Sequence, residues 1–141
     1  MAFDSDPLTE KVIGLAIEVH RQLGPGLLES AYEECLCYEL APAELVFRRQ
    51  VALPIVYKSV RLDCGYRLDI VVENRVILEL KTVERLMPIH EAQVITYLRL
   101  AGIRTGLLLN CNSAVLKHGI RRLMLCGGSD RNLTVSPSRC N

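Results

Sequence analysis

Net charge is almost absent from this chain: 17 Lys and Arg stand against 16 Asp and Glu, leaving +1 over 141 residues. Composition alone gives no case for a nucleic-acid or membrane partner, so any such case must come from local patches. A long hydrophobic run is also lacking. No window reaches the ~18 uninterrupted apolar residues of a membrane span. The opening MAFDSDPLTEK holds no basic segment followed by an apolar stretch, so a cytoplasmic protein with no membrane partner is expected. The six cysteines (Cys35, Cys37, Cys64, Cys111, Cys126, Cys140) include no C-x2-C pair and no histidine at ligand spacing. That argues against a structural zinc and, without a secretion signal, against a disulfide framework. Repeats, low-complexity segments and dividing linkers are missing too.

What is present is enough apolar sequence for one core: half the residues belong to the apolar set. A chain of this length buries roughly 70% of its unfolded surface, so neither metal nor disulfide is needed to explain folding. Leu8, Val12, Ile13, Leu15, Ala16, Val19 and Leu23 recur at helical spacing, with Asp6 before Pro7 as a cap and Gly24-Pro25-Gly26 as the stop. A second helix runs through LLESAYEECLCYELA until Pro42. The segments 46–57, 66–72 and 76–82 are short and rich in Val, Ile and Leu, which predicts a three-stranded antiparallel meander. Pro54 places the first of these at the sheet edge. Pro88 to Ala101 is a third helix closed by Gly102. Gly106–Asn110 is a buried strand, and Ala114–Leu125 another, interrupted by Gly119. Helices before and after a run of strands predict an α/β (α+β) fold, a mixed sheet flanked by helices. One domain is expected over residues 1–126, with 127–141 as a flexible tail.

Two acids break this pattern. Asp69 lies between Leu68 and Ile70, and Glu79 between Leu78 and Leu80. An ionised group buried without a partner is costly, so a compensating charge is implied. If the two strands form a hairpin about Asn74, residues whose numbers sum to 148 oppose each other, and 69 faces 79. Carboxylates placed so, with Cβ atoms ~5 Å apart, destabilise a sheet, and a bound cation reverses the sign. Hard oxygen donors with room for water suit Mg2+ or Mn2+ better than zinc. Lys81, two residues beyond Glu79, shares its face. A metal, two acids and a lysine can attack a phosphodiester, the lysine orienting or deprotonating a water. A salt-bridge cluster of the same residues is the competing account.

Asp69 followed by Glu79-Leu80-Lys81 resembles the PD-(D/E)xK nuclease signature. Gly26-Leu27-Leu28-Glu29-Ser30-Ala31-Tyr32 is similar to the motif that names the GxxExxY proteins, a branch of that superfamily. The resemblance extends over roughly Leu8 to Leu123 and includes Tyr66-Arg67-Leu68-Asp69, His90-Glu91-Ala92-Gln93 to Tyr97-Leu98, and Gly106 to Asn110. It implies a restriction-endonuclease-like αβββαβ core with an extra N-terminal helix. It also implies Asp69, Glu79 and the Leu80 carbonyl as metal ligands, Lys81 as the catalytic lysine, and Glu29 completing the metal environment directly or through water. Gln93 and Tyr97 would support the lysine or touch DNA. Glu29 and Tyr32 are three apart and Gln93 and Tyr97 four apart, so each pair shares a helical face. The proline of the superfamily signature is absent before Asp69, and Cys111 stands where an aromatic often follows the strand asparagine.

Two functions remain open at this stage. One is a Mg2+-dependent nuclease that hydrolyses DNA, with Glu29, Asp69 and Glu79 holding the metal and Lys81 serving the water; separately, the small size of the domain and the pairing of related nucleases raise a homodimer as an expectation by analogy. The other is a nucleic-acid-binding or assembly module without turnover. Arg48, Arg49, Lys58, Arg61, Lys117, Arg121 and Arg122 would form a phosphate path if the fold gathers them. His20, His90 and His118 sit at no metal-ligand spacing from one another.

Overall fold

The computed structural model describes residues 6–126 and 134–137. Helix α1 spans Pro7–Leu23, with the Asp6 carboxylate accepting from the Leu8 amide at its start and Gly24 closing it. Its buried stripe, Leu8, Val12, Ala16 and Val19, follows helical spacing. Helix α2 spans Glu29–Leu40 and buries Tyr32, Glu33, Leu36, Cys37 and Leu40. Five strands follow: β1 Phe47–Ala52, β2 Ile55–Tyr57, β3 Val60–Leu62, β4 Arg67–Val72 and β5 Val76–Lys81. Helix α3, Pro88–Ala101, leads to β6 (Thr105–Asn110). A 3-10 turn at Leu116–Gly119 precedes β7 (Ile120–Cys126), and β8 is Thr134–Pro137.

The main sheet runs β1-β4-β5-β6-β7-β8. All its neighbours are antiparallel except β5 and β6, which α3 joins as a parallel pair. Its central strands are buried on both faces, which is why they read as nearly unbroken apolar runs. Ile70, Val72, Leu78, Leu80, Leu107 and Leu109 pack beneath α1 and α2. Val71, Ile77, Leu108 and Leu123 pack beneath α3 with Val94 and Leu98. The expected mixed sheet between helices is the fold observed.

The β4–β5 register is the one the hairpin about Asn74 predicts: Ile70 opposes Leu78, Val71 opposes Ile77 and Val72 opposes Val76. Glu73 and Asn74 turn the chain with φ of 55° and 53°, a conformation Asn tolerates better than most residues. β1 is the outer neighbour of β4, as Pro54 suggested.

Two expectations need correction. Pro54 does not lie within an edge strand; it ends one, and β2 leaves the main sheet to pair with β3 as a separate hairpin. A proline offers no ladder donor, so the chain changes partner there. Residues 114–125 are not one interrupted strand, because Leu116–Gly119 coils into a 3-10 turn before β7 begins. The expected tail at 127–141 lies largely outside the described residues; of it, Thr134–Pro137 is described and pairs antiparallel with β7. Four residues are too few for apolar alternation to announce a strand.

Candidate active site

β4 and β5 part company where the acids lie. Their ladder ends at Ile70 and Leu78. Continuing the register would bring Leu80 opposite Leu68, but the Leu80 amide donates instead to Asp69 Oδ2 at 2.9 Å. The Asp69 side chain thus takes the donor that the next backbone rung would have used, and it is held at the mouth of the opening hairpin. Glu79 follows Ile77 by two residues and faces α3. It is 6% exposed. Its Oε1 has no hydrogen-bond partner among the described residues, and its Oε2 lies 3.9 Å from the Lys81 ammonium.

Burial, then the Asp69 charge, pushes the Glu79 carboxyl up to about 8, and Lys81 only partly opposes this. Burial also raises Asp69; the bond from the Leu80 amide counters it, while Glu33 and Glu29 add negative potential. Glu33 has its own partners, Arg49 Nε at 3.0 Å and Gln50 Nε2 at 2.9 Å. Asp69 and Glu79 are left beside one lysine, and Glu29 adds negative potential from α2. Such an excess of hard, negatively charged oxygens, one of them orphaned, fits a divalent cation.

Glu29 stands further off. It is exposed on the first turn of α2 and meets the end of β5 only through a 3.5 Å contact from Thr82 Oγ1. Among the described residues no group of three or more His, Cys, Asp or Glu side chains is gathered at metal-holding distance. Asp69 and Glu79 are therefore the compact pair. Mg2+ is commonly held by only one or two carboxylates plus water.

The backbone around Lys81 is pinned. Its carbonyl accepts from the Cys111 amide at 2.8 Å, and Asn110 grips the next segment, accepting from the Val83 amide at 3.1 Å and donating to its carbonyl at 2.9 Å. The lysine side chain lines a cleft of about 410 Å³ against α3 together with Gln93 and Tyr97. Gln93 hydrogen-bonds Tyr97, whose hydroxyl is raised by burial and then by the Glu79 charge. The Tyr97 ring meets Tyr66 edge to face, centroids 6.2 Å apart at 61°.

Tyr32 plays a different part. Its hydroxyl donates to the Gly24 carbonyl and accepts from the Leu27 amide. It ties down the loop from which α2, and Glu29 with it, departs. Gly26 in that loop takes φ of 100°, which only glycine adopts readily.

The cationic residues do not form one path. Arg49 binds Glu33 and Glu34, Arg121 lies 3.6 Å from Glu91, Arg48 donates to Asn74, Arg122 to Thr9, and Lys58 sits over the Tyr57 ring. His90 Nδ1 accepts from the Met87 amide at the start of α3, His20 is buried and His118 exposed. Cys35, Cys37, Cys64 and Cys111 are free thiols; the side chains of Cys126 and Cys140 lie outside the described residues. Two residues around the site went unremarked in the sequence. Glu33 was detectable as the acid one turn after Glu29 on the same face. Thr82 carried no signal.

A model of the PD-(D/E)XK nuclease superfamily matches residues 6–123, a span that contains both acids, Lys81, the three helices and the strands from β1 to the first half of β7. No curated protein and no solved structure matches the chain. No helix among the described residues is long and apolar enough to cross a membrane.

Proposed function

We propose, on the premise that this chain belongs to the PD-(D/E)XK nuclease superfamily, that it is a divalent-metal-dependent nuclease hydrolysing DNA phosphodiesters. The observation that carries this is the buried Glu79 with its unpartnered Oε1, its carboxyl raised by burial and then by the charge of Asp69 across the opened hairpin. Asp69, Glu79 and the Leu80 carbonyl are the groups to hold Mg2+ or Mn2+, with Glu29 acting through water. Such an ion, when bound, lowers the pKa of a coordinated water and offsets charge growing on phosphate oxygens.

The chain's own residues supply the rest. Lys81, 3.9 Å from Glu79, orients the attacking water and meets a non-bridging phosphate oxygen. The water oxygen bonds to phosphorus as one of its protons passes to bulk water, the P–O ester bond breaks, and the leaving alkoxide takes a proton back from bulk water. Tyr97 and Gln93 form the α3 side of the cleft that Lys81 also lines. The Gly26-to-Tyr32 segment supports assignment to the GxxExxY branch, since Tyr32 and Gly26 hold the loop that presents Glu29.

The modest charge and dispersed cations favour a second account, a binding module without turnover, and also favour a homodimer that doubles a weak footprint. Labelled single strands, duplexes and branched DNA incubated with Mg2+ or Mn2+ distinguish these. Cleavage is expected, reduced ~100-fold or more in Glu79→Gln and in Lys81→Ala. Undiminished cleavage by purified Glu79→Gln removes the assignment, and binding by the wild type with no cutting selects the silent module.

A further inference from the structure

The cleft beside Lys81 has a chemistry that a phosphate path would not choose. Its volume is about 410 Å³, and among the described residues Lys81 is the one Lys or Arg that lines it. Tyr66, Ile89 and Leu100 form its walls, and these large apolar side chains are respectively 43%, 69% and 40% exposed. Water is a poor occupant for such walls. Gln93, Thr96 and Leu100 follow one another at helical spacing along α3, so an amide and a hydroxyl interrupt the apolar lining on one stripe. Tyr66 meets Tyr97 at 61° on one side and keeps much of its surface exposed to the cleft and solvent.

We propose that this cleft is a nucleobase pocket, so that the substrate presents an unpaired or extruded base next to the phosphate to be cut. A base combines what the cleft offers: an apolar π-face for Tyr66, Ile89 and Leu100, and a donor-acceptor edge for Gln93 and Thr96. The position argues for a base over a peptide or a second copy of the chain, because the cleft opens directly on Lys81 and thence on Glu79. A base in a stacked duplex cannot enter it, so single-stranded, gapped or branched nucleic acid is the preferred class. The inference rests on nucleic acid being the substrate, but binding without metal tests it separately from hydrolysis.

The test is fluorescence anisotropy of the full chain in EDTA with labelled oligonucleotides. A single strand should bind about tenfold tighter than the blunt duplex of the same sequence, as one stacked base warrants. An abasic site stepped along the single strand should weaken binding sharply at one position. Tyr66→Ala and Ile89→Asp should each erase the preference, and Tyr66→Phe should keep it. The abasic series uses the wild-type protein, so it does not depend on how the variants fold. Equal affinity for both forms, or a flat abasic series, overturns the pocket and leaves hydrolysis standing. Concentration-dependent self-association that Ile89→Asp abolishes overturns it in favour of a second copy. A strand preference without cleavage in Mg2+ supports the pocket while removing the hydrolytic assignment.

Discussion

At Glu79 the fold keeps a carboxyl that burial and the Asp69 charge push from 4.5 up to about 8. The folded state therefore holds a proton that the unfolded chain releases. Stability from this group is complete below the unfolded value of 4.5 and is lost as pH rises through about 8. The melting temperature of the metal-free protein should fall across that window, and Glu79→Gln, which cannot ionise, should flatten the decline. Thermal scans of both proteins in EDTA over a pH series measure this; parallel slopes would show that Glu79 is not the group responsible. The same residue was visible in the sequence as an acid inside an apolar strand, because a strand buried on both faces leaves no solvated position for it. Its partner's behaviour was not visible: the Asp69 carboxylate replaces a rung of the ladder, and nothing in the local sequence announces that a pairing stops.

At the scale of elements, the site depends on how closely α3 lies on β6. A Cβ on Gly106 would come within 2.8 Å of Val94 Cγ1 and 3.3 Å of Leu98 Cδ2. Both of those residues are fully buried, so neither has free space to retreat into. Gly106→Ala should destabilise the protein by about 1–3 kcal/mol in urea unfolding, the usual cost of overpacking. It should also impair cleavage in the folded fraction, since α3 carries Gln93 and Tyr97. An unchanged urea midpoint would mean that the helix shifts freely. The element boundaries that sequence indicated well were those with caps: Asp6 and Gly24 around α1, Pro88 and Gly102 around α3. The β2–β3 hairpin was missed because its strands are three residues each, too short for alternation to register.

For the whole molecule, Asp69 and Glu79 beside a single lysine, with Glu29 adding negative potential from α2, make an incoming cation a stabilising ligand. Mg2+ or Mn2+ should raise the melting temperature, by about 2.7 kcal/mol in free energy at a hundredfold excess over Kd, and Glu79→Gln should lose most of that response. Differential scanning fluorimetry with titrated metal reads it directly; an equal shift in both proteins would place the ion elsewhere. The sequence by itself determined the helices, the β4–β5 register as far as Ile70 and Leu78, and the two acids that follow where that pairing ends, since periodicity, caps and turn residues act over a few positions. Only the tertiary structure decided that Glu29 stands apart while Glu33 is buried, that the basic residues scatter instead of forming a path, and that an apolar cleft opens beside Lys81. Those outcomes depend on how far distant segments approach in space, and long-range packing leaves no mark in the order of neighbouring residues.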